Sequence, residues 1–555
     1  MGLVCGFKAL AAGPAAGAGG VDIVPRPQIV ELAPTGSVRL GQGAALLAPR
    51  GDASAMRTAR WLAALALRSR GLRLVPVAKA TARQPAIVFE RRLGSGQSEA
   101  YTLDVAHGRV IIAASSDAGL LYGAVSLWQL MTADDGRGGV RLAAMHIADQ
   151  PRFVWRGLLL DSARHFQSAA FINQAIDWMA LHKLNVLQWH LTDDQGWRLP
   201  IDGYPRLTQV GAWRVPAGVG PPPLDRKTGK PRLYGGFYSR AEIRAIVAHG
   251  LARNITIVPE IEMPGHAVAA LLAYPELSAG QPPPRSVQSD WGILPYAYGV
   301  DDKVFAFLDT VLGQVIEQFP SRYIAIGGDE VPLDIWKASP EVQARMKALG
   351  IADESALQNY FIRRIDSYLA AHGRRLIGWE EILKGGPLPP GAVVTSWQGA
   401  QSALTASEAG HDVVLATAPT LYFDNRQSAL AREPPGRGWV VSLRDVYGLD
   451  PGAPPLPPPA PAVVGAPPSP LPAFSAADQA HILGLQGNMW SEHIRTEDRM
   501  AKMMFPRAAA VAEAGWTAQS ARDWPDFLSR MPAEFARFSR LGLAEDESVF
   551  AVDVK

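Results

Sequence analysis

The 555-residue sequence has a single cysteine, Cys5, which excludes a disulfide framework and any metal site built on cysteine thiolates. No uninterrupted apolar run approaches the ~18 residues that a membrane helix needs, so no membrane span is expected. An excess of charge of either sign is missing as well. Lys plus Arg number 54 against 52 Asp plus Glu, and the net +2 gives no electrostatic footprint for nucleic acid or an acidic membrane. Neither HxH nor HExxH occurs, which leaves a zinc-type site without its usual pattern. The opening MGLVCGFKALAAGPAAGAGG lacks a cationic segment ahead of a continuous apolar one, so it is an incomplete signal peptide. Residues 1–21 read as a disordered N-terminus or a signal remnant; a periplasmic or secreted location is the expectation, with a cytoplasmic one left open.

What is present is an ordinary globular composition, 48% hydrophobic and 19% charged, in a chain long enough for two to four domains, or fewer if one is a large α/β barrel. Residues 22–150 alternate short β-like runs (Ser37–Leu40, Ala86–Glu90, Ala100–Val105, Val110–Ala114) with helical stretches at Ala53–Arg70 and Asp117–Met131. That order predicts a small α/β domain with a mainly antiparallel sheet. From Arg152 onward the pattern becomes buried apolar runs followed by helical segments. Eight runs recur: Gly157–Asp161, Val186–His190, Thr256–Glu260, Tyr323–Gly327, Arg375–Trp379, Ala392–Trp397, Asp412–Ala416 and Ile482–Gln486. Phe171, Ile172, Ala175, Ile176 and Met179 share one helix face, as do Ile243, Ile246 and Val247. Eight β-α units predict a (β/α)8 TIM barrel over 151–520, with a helical tail at 521–555. The Pro-rich stretch at about 434–472 is expected as a long loop after the seventh strand, and its proline run reads as an insertion.

In a TIM barrel the chemistry sits at the C-terminal strand ends, so the residues just after each run carry the information. These are Asp161, Arg164 and His165; Asp193 and Asp194; Glu260, Glu262 and His266; Asp329 and Glu330; Trp379, Glu380 and Glu381; Trp397; Tyr422 and Asp424; Trp490 and Glu492. Carboxylates, one arginine and a ring of Trp and Tyr at one mouth suit a neutral sugar, whose C–H faces pack on aromatic rings while acids bond its hydroxyls. The adjacent acids in IAIGGDEV are the unusual feature. Successive strand residues point to opposite faces, so two neighbouring acids share a pocket only where strand gives way to loop, and then aim at different substrate atoms.

The motifs GGDEV, HLTDDQGWR, PEIEMPGH, LYFD and GNMWSEH resemble those of the family 20 glycoside hydrolases, the β-N-acetylhexosaminidases, over about residues 22–520. The resemblance implies an exo-acting, retaining hydrolase of terminal β-linked N-acetylglucosamine, with N-acetylgalactosamine left open, acting on an oligosaccharide or glycoconjugate without a cofactor or metal. No enzyme nucleophile is implied: the substrate's 2-acetamido oxygen attacks its own anomeric carbon. By motif position Glu330 resembles the general acid and base, and Asp329 the residue that orients the acetamido group. Arg164, Asp424 and Glu492 resemble ligands of the outer hydroxyls. Trp379, Trp397 and Trp490 resemble pocket walls, and Tyr422 the donor to the acetamido oxygen. Behind the acid, His266 with either Asp193 or Asp194 would form a relay. Trp197, Arg198 and Trp213 read as loop packing with a possible outer-subsite role; Glu260 and Glu262 read as pocket acids or as ion-paired residues.

Other readings stay open at this stage. A family member that releases a disaccharide would need a more open pocket. A chitinase of the other substrate-assisted barrel family would end its fourth strand in DxxDxDxE rather than GGDE. Asp161, Asp193, Glu260, His266 and Asp329 are chemically able to hold a divalent cation. An inactive sugar-binding barrel would have no need of Glu330.

Overall fold

The structure, a computed structural model, describes residues 20–81, 84–92, 98–134, 136–217, 223–431, 433–452 and 474–543. The signal-like start with Cys5, most of the proline run and the end of the tail lie outside the described residues. The first unit runs β1 (Ile29–Leu40), β2 (Ala44–Leu47), α1 (Ala53–Arg70), β3 (Leu74–Pro76), β4 (Ala86–Arg91), β5 (Tyr101–Ala106), β6 (Arg109–Ala114), α2 (Asp117–Met131) and β7 (Val140–Asp149). Both helices fall where periodicity put them because side chains mark their ends. Asp52 caps α1 by accepting from the Ala55 N–H, Gly71 closes it in the left-handed conformation, and Ser116 caps α2.

The seven strands lie in the order β1-β7-β5-β6-β4-β2-β3. β1–β7, β7–β5 and β5–β6 are antiparallel, but β6–β4, β4–β2 and β2–β3 are parallel, so the sheet is mixed where a mainly antiparallel one was expected. The β2–β3 pair is parallel because α1 is a crossover that returns the chain to the same end of the sheet between them. Those two strands, of four and three residues, are too short to show a period of two in the sequence.

Eight parallel strands then close on themselves: β8 (Trp155–Asp161), β9 (Val186–Asp193), β10 (Thr256–Ile261), β11 (Tyr323–Ala325), β12 (Arg375–Trp379), β13 (Val393–Ser396), β14 (Asp412–Leu415) and β15 (Ile482–Met489), the last pairing with β8. Every apolar run singled out in the sequence is one of these strands. Helices α3 (Ala169–Leu181), α4 (Arg240–Ala252), α5 (Asp302–Gln318), α6 (Glu354–Ala371), α7 (Ala400–Glu408) and α8 (Arg507–Trp516) surround them. The fifth unit departs from the repeat. Only a 3-10 turn, Glu380–Leu383, lies between β12 and β13, which keeps Trp379 to Glu381 close to Trp397 at the mouth.

Inside the barrel, chemistry changes with depth. Trp155, Val186, Val258, Ala325, Ile377, Val393 and Val414 form an apolar layer inside the barrel. Above it the interior turns polar: Gln486 Nε2 donates to Gln188 Oε1 at 3.1 Å, and His190 and Glu260 are buried one strand step higher.

The segment expected as a proline-rich loop begins with regular structure. Residues 437–448 contain no proline, and they form a strand (Arg437–Val440) and a helix (Leu443–Gly448) whose N-terminus carries a capping box of Ser442 and Asp445. The tail forms helix α9 (Trp524–Arg540), with Phe527, Met531 and Phe538 buried. No helix among the described residues is long and apolar enough to cross a membrane.

Candidate active site

The corner after β11 explains how two neighbouring acids come to share a pocket. Gly327 and Gly328 both take positive φ, +65° and +86°, and Glu330 itself sits at φ +48°. A Cβ on Gly327 would lie 1.8 Å from Glu262 Oε2, and one on Gly328 2.6 Å from Ile382 Cγ2. Only glycine meets both the left-handed backbone and the close approach. The strand alternation is broken there, and Asp329 and Glu330 both turn toward His266. Their distances to His266 Nε2 are 3.7 Å from Asp329 Oδ2 and 3.5 Å from Glu330 Oε2.

His266, also left-handed at φ +50°, is the hub of a buried charge network. Its Nδ1 lies 3.2 Å from Asp194 Oδ2 and 3.4 Å from Asp193 Oδ1, so the aspartates share it. They differ in what else they meet. Asp193 also takes Arg164 Nη2 at 2.6 Å and His190 Nε2 at 2.9 Å; burial opposes its charge, yet these cations hold it well below the carboxylate range. Asp194 accepts from the Val268 N–H, and burial lifts it above its usual value. Asp193 is therefore the ionised member and Asp194 the more readily protonated one. Burial disfavours a charged His266, but Asp193, Asp194 and Glu330 hold its pKa well above that of a free imidazole.

The adjacent acids shift in opposite directions. Burial raises Asp329 to about 7 against the pull of His266, with Glu381 and Glu330 adding to the rise. Glu330, more open, is lowered, chiefly by His266 and then by Arg164 and Arg437. Two like charges after an apolar run thus resolve into one proton-holding and one ionised carboxyl around an imidazolium.

Arg164, His266, Asp329, Glu330, Trp379, Trp397, Tyr422, Trp490 and Glu492 line a single pocket of about 420 Å³, mouth included. Trp379 and Trp490 meet at 5.7 Å between centroids; Trp397 and Tyr422 lie nearly parallel at 6.2 Å. Arg164 stands 5.1 Å over Trp490 and also donates to Gln195 Oε1. Asp424 is not on the exposed wall. It is 1% exposed beneath Arg437, both its oxygens lack a hydrogen-bond partner among the described residues, and burial followed by Glu492 raises it to about 7.

Several strand-end acids are framework. Asp161 accepts from the Ser491 N–H and hydroxyl, both at 2.9 Å, which ties the ends of β8 and β15 together. Glu260 accepts from Trp379 Nε1 at 3.1 Å and pairs with His190. Glu380 receives the Trp397 N–H and Glu381 its ring N–H, so both hold that wall. Glu262 lies under the glycine corner, raised by burial and by Asp329. Trp197 and Arg198 are buried, the arginine donating to the Ser162, Ala212 and Gly236 carbonyls, so they pack the loop; Trp213 is half open. Sequence reasoning missed Arg437 and Gln195 as site residues. Gln195 directly follows Asp194 in HLTDDQGWR, so the signal for it was there; Arg437 stands more than twenty residues past the end of β14, where the strand-end rule does not reach.

Three groups bring metal-type ligands within 4.8 Å: His190 with Glu260 and Glu262, Asp193 and Asp194 with His266, and His266 with Asp329 and Glu330. In each group the surrounding carboxylates hold the histidine's pKa above that of a free imidazole, so a cation there would have to displace a proton.

Known proteins share this order of domains. The catalytic domain of glycosyl hydrolase family 20 matches residues 153–519, and domain 2 of that family matches residues 20–150. A β-hexosaminidase of Porphyromonas gingivalis is 38% identical over 457 residues, 80% of this chain and 54% of its own length. One from Vibrio furnissii is 37% identical across 75% of this chain and 65% of its own. The chain thus spans little more than half to two-thirds of those relatives. Among solved structures, the exo β-N-acetylglucosaminidase of Vibrio harveyi in complex with N-acetylglucosamine superposes with a TM-score of 0.79 at 32% identity, covering 94% of this chain and 78% of that one. The β-N-acetylhexosaminidase of Streptomyces coelicolor A3(2) gives 0.77 at 28%, covering 95% and 97%. With both of its domains matched in order along the sequence, the chain belongs to glycosyl hydrolase family 20.

Proposed function

We propose that the chain is an exo-acting, retaining β-N-acetylhexosaminidase that removes terminal N-acetylglucosamine through an oxazolinium intermediate. The observation that carries this is the shared His266 contact of Asp329 and Glu330, whose opposite shifts suit two different tasks on one substrate. An acetamido N–H offered to Asp329 favours its ionised form. The new charge beside Glu330 then raises Glu330, so the pair's proton passes to the residue that needs it. Glu330 protonates the glycosidic oxygen as the acetamido oxygen closes on the anomeric carbon, and the C–O bond to the leaving group breaks. Asp329 balances the charge that develops on the acetamido nitrogen. Glu330, now ionised, takes a proton from water as that water opens the ring with overall retention.

The walls fit the same substrate. Trp379, Trp397 and Trp490 enclose the acetamido methyl and sugar ring, Tyr422 donates to the acetamido oxygen, and Arg164 with Glu492 takes the outer hydroxyls. His266 with Asp193 and Asp194 positions Glu330 and tunes its acidity. The deciding experiment is a panel of aryl β-glycosides with and without the 2-acetamido group, read for release and for the anomer formed first. Release of only the acetamido sugars with retention is expected; equal rates on a plain β-glucoside would remove substrate assistance.

A further inference from the structure

Arg437 has no part in the chemistry above, yet it lines the pocket beside Glu330. Its nearest carboxylate oxygen, Asp424 Oδ2, is 3.6 Å from Nη1, beyond hydrogen-bond reach. Among the described residues its guanidinium donates no hydrogen bond, and the side chain is 46% exposed. Arg164, the other cation of the pocket, already has Asp193 and Gln195 as partners. Arg437 is also held in place: its backbone N–H donates to the Asp424 carbonyl at 3.0 Å, and the guanidinium rests 5.7 Å from the Tyr422 ring centre.

Beyond the Trp397–Tyr422 stack lies a second cavity of about 700 Å³, mouth included, and Arg437, Trp397 and Tyr422 are common to both. Its other walls include Gln398, Pro419, Asn425 and the half-open Trp439. Among the described residues no carboxylate lines it, and Arg437 is the one charged residue on its wall. The catalytic pocket is the reverse, with Asp329, Glu330 and Glu492 on its wall and Asp424 behind it. An anionic group on the bound sugar would meet those acids; one on the group that departs past Glu330 would meet Arg437 on a wall that, among the described residues, carries no carboxylate.

We propose that Arg437 forms an anion-recognising subsite for the leaving group, giving preference to aglycones, a following sugar included, that bear a carboxylate or sulfate. The proposal rests on the hydrolase reading above. A planar guanidinium with free donors suits bidentate capture of either oxyanion.

The test compares kcat/KM for 4-carboxyphenyl and 4-carbamoylphenyl β-N-acetylglucosaminides, and for 4-nitrophenyl β-N-acetylglucosaminide with and without a 6-O-sulfate. The enzymes are the parent chain, Arg437→Gln and Arg437→Lys, each checked for folding by circular dichroism. The carboxyl-to-carbamoyl ratio should fall about tenfold in the Gln variant, as loss of a charged hydrogen bond implies, and recover in large part in the Lys variant. The ratio for the 6-sulfate pair should not move. An unchanged carboxyl-to-carbamoyl ratio overturns the proposal, and so does a fall confined to the 6-sulfate pair, which would place the anion inside the catalytic pocket. If the parent chain releases no aryl group at all, the hydrolase reading itself fails, which is a separate result.

Discussion

At the scale of single residues, the pair Asp329 and Glu330 illustrates how environment assigns work to identical chemistry. Burial dominates at Asp329 and the imidazolium dominates at Glu330. Removing the acid should act on turnover: Glu330→Gln is expected to lower kcat by roughly 10²- to 10⁴-fold on sugar leaving groups, and far less on 4-nitrophenol, which departs without full protonation. Equal losses on both would contradict the assignment. The free pair holds its proton with a pKa of about 7 at Asp329, so kcat/KM should fall as pH rises past about 7, and in Asp329→Asn that limb should move to lower pH, where the depressed Glu330 titrates. Stability obeys the same shift with a definite sign. Asp329 binds its proton more tightly folded than unfolded, so folding is penalised once pH exceeds the ordinary value of 3.8, and the penalty is complete above about 7. The rise corresponds to roughly 4 kcal/mol as a ceiling. Asp329→Asn should therefore raise the melting temperature at pH 8 and leave it unchanged near pH 3, while crippling hydrolysis of acetamido sugars. A melting temperature that does not respond to pH in this way would count against a buried, proton-holding Asp329.

Among the elements, the corner after β11 shows why the GGDE motif carries its glycines. Gly327 and Gly350 have nearly the same φ, +65° and +66°, but a Cβ at Gly327 runs into Glu262 whereas one at Gly350 meets open space. Gly350→Ala should lose only the left-handed penalty of roughly 1–2 kcal/mol. Gly327→Ala adds a clash with a buried carboxyl, so its loss in urea denaturation should be clearly larger, with activity lost as well. Equal losses would mean that crowding at the corner is relieved by movement of Glu262. The short fifth crossover acts at the same scale. By replacing a helix with one 3-10 turn it lets Glu380 and Glu381 grip Trp397, turning acids that look catalytic in the sequence into a bracket for an aromatic wall.

Across the whole molecule, the sheet domain and barrel meet through buried charge. Asp149 at the end of β7 accepts from Tyr101 Oη at 2.6 Å, Lys183 Nζ at 2.9 Å and Trp516 Nε1 at 2.8 Å, joining the sheet to the start of the barrel and to α8. Arg156 on β8 reaches back to Glu99 at 2.9 Å. The Lys183 ammonium is fully buried between Tyr101 and Trp516, and burial lowers its pKa against the attraction of Asp149. Asp149→Ala would leave that charge without its carboxylate, a loss of about 3–5 kcal/mol. A matched Asp149→Ala/Lys183→Met pair should recover part of it, measured by urea midpoint. Recovery would show that the loss arises from the unpaired charge. Helix α9 belongs to the same structure: Arg530 pairs with Glu513 on α8 at 2.6 Å, and Arg537 donates to the Gln129 carbonyl of α2 at 3.0 Å.

The sequence by itself determined the eight barrel strands, the two helices of the first unit and the carboxylates, tryptophans and tyrosine of the site. These depend on local periodicity, on end-capping residues and on the rule that strand ends face the pocket, all legible within a few residues. The tertiary structure alone decided which acids face the pocket, how Asp193 and Asp194 divide His266, that half of the sheet is parallel, and that Arg437 belongs to the site. The physical reason is distance along the chain: Asp161 is satisfied by Ser491, 330 residues away, and Glu260 by Trp379, 119 away. A carboxyl's charge is set by such partners and by burial, and neither exists until the barrel closes.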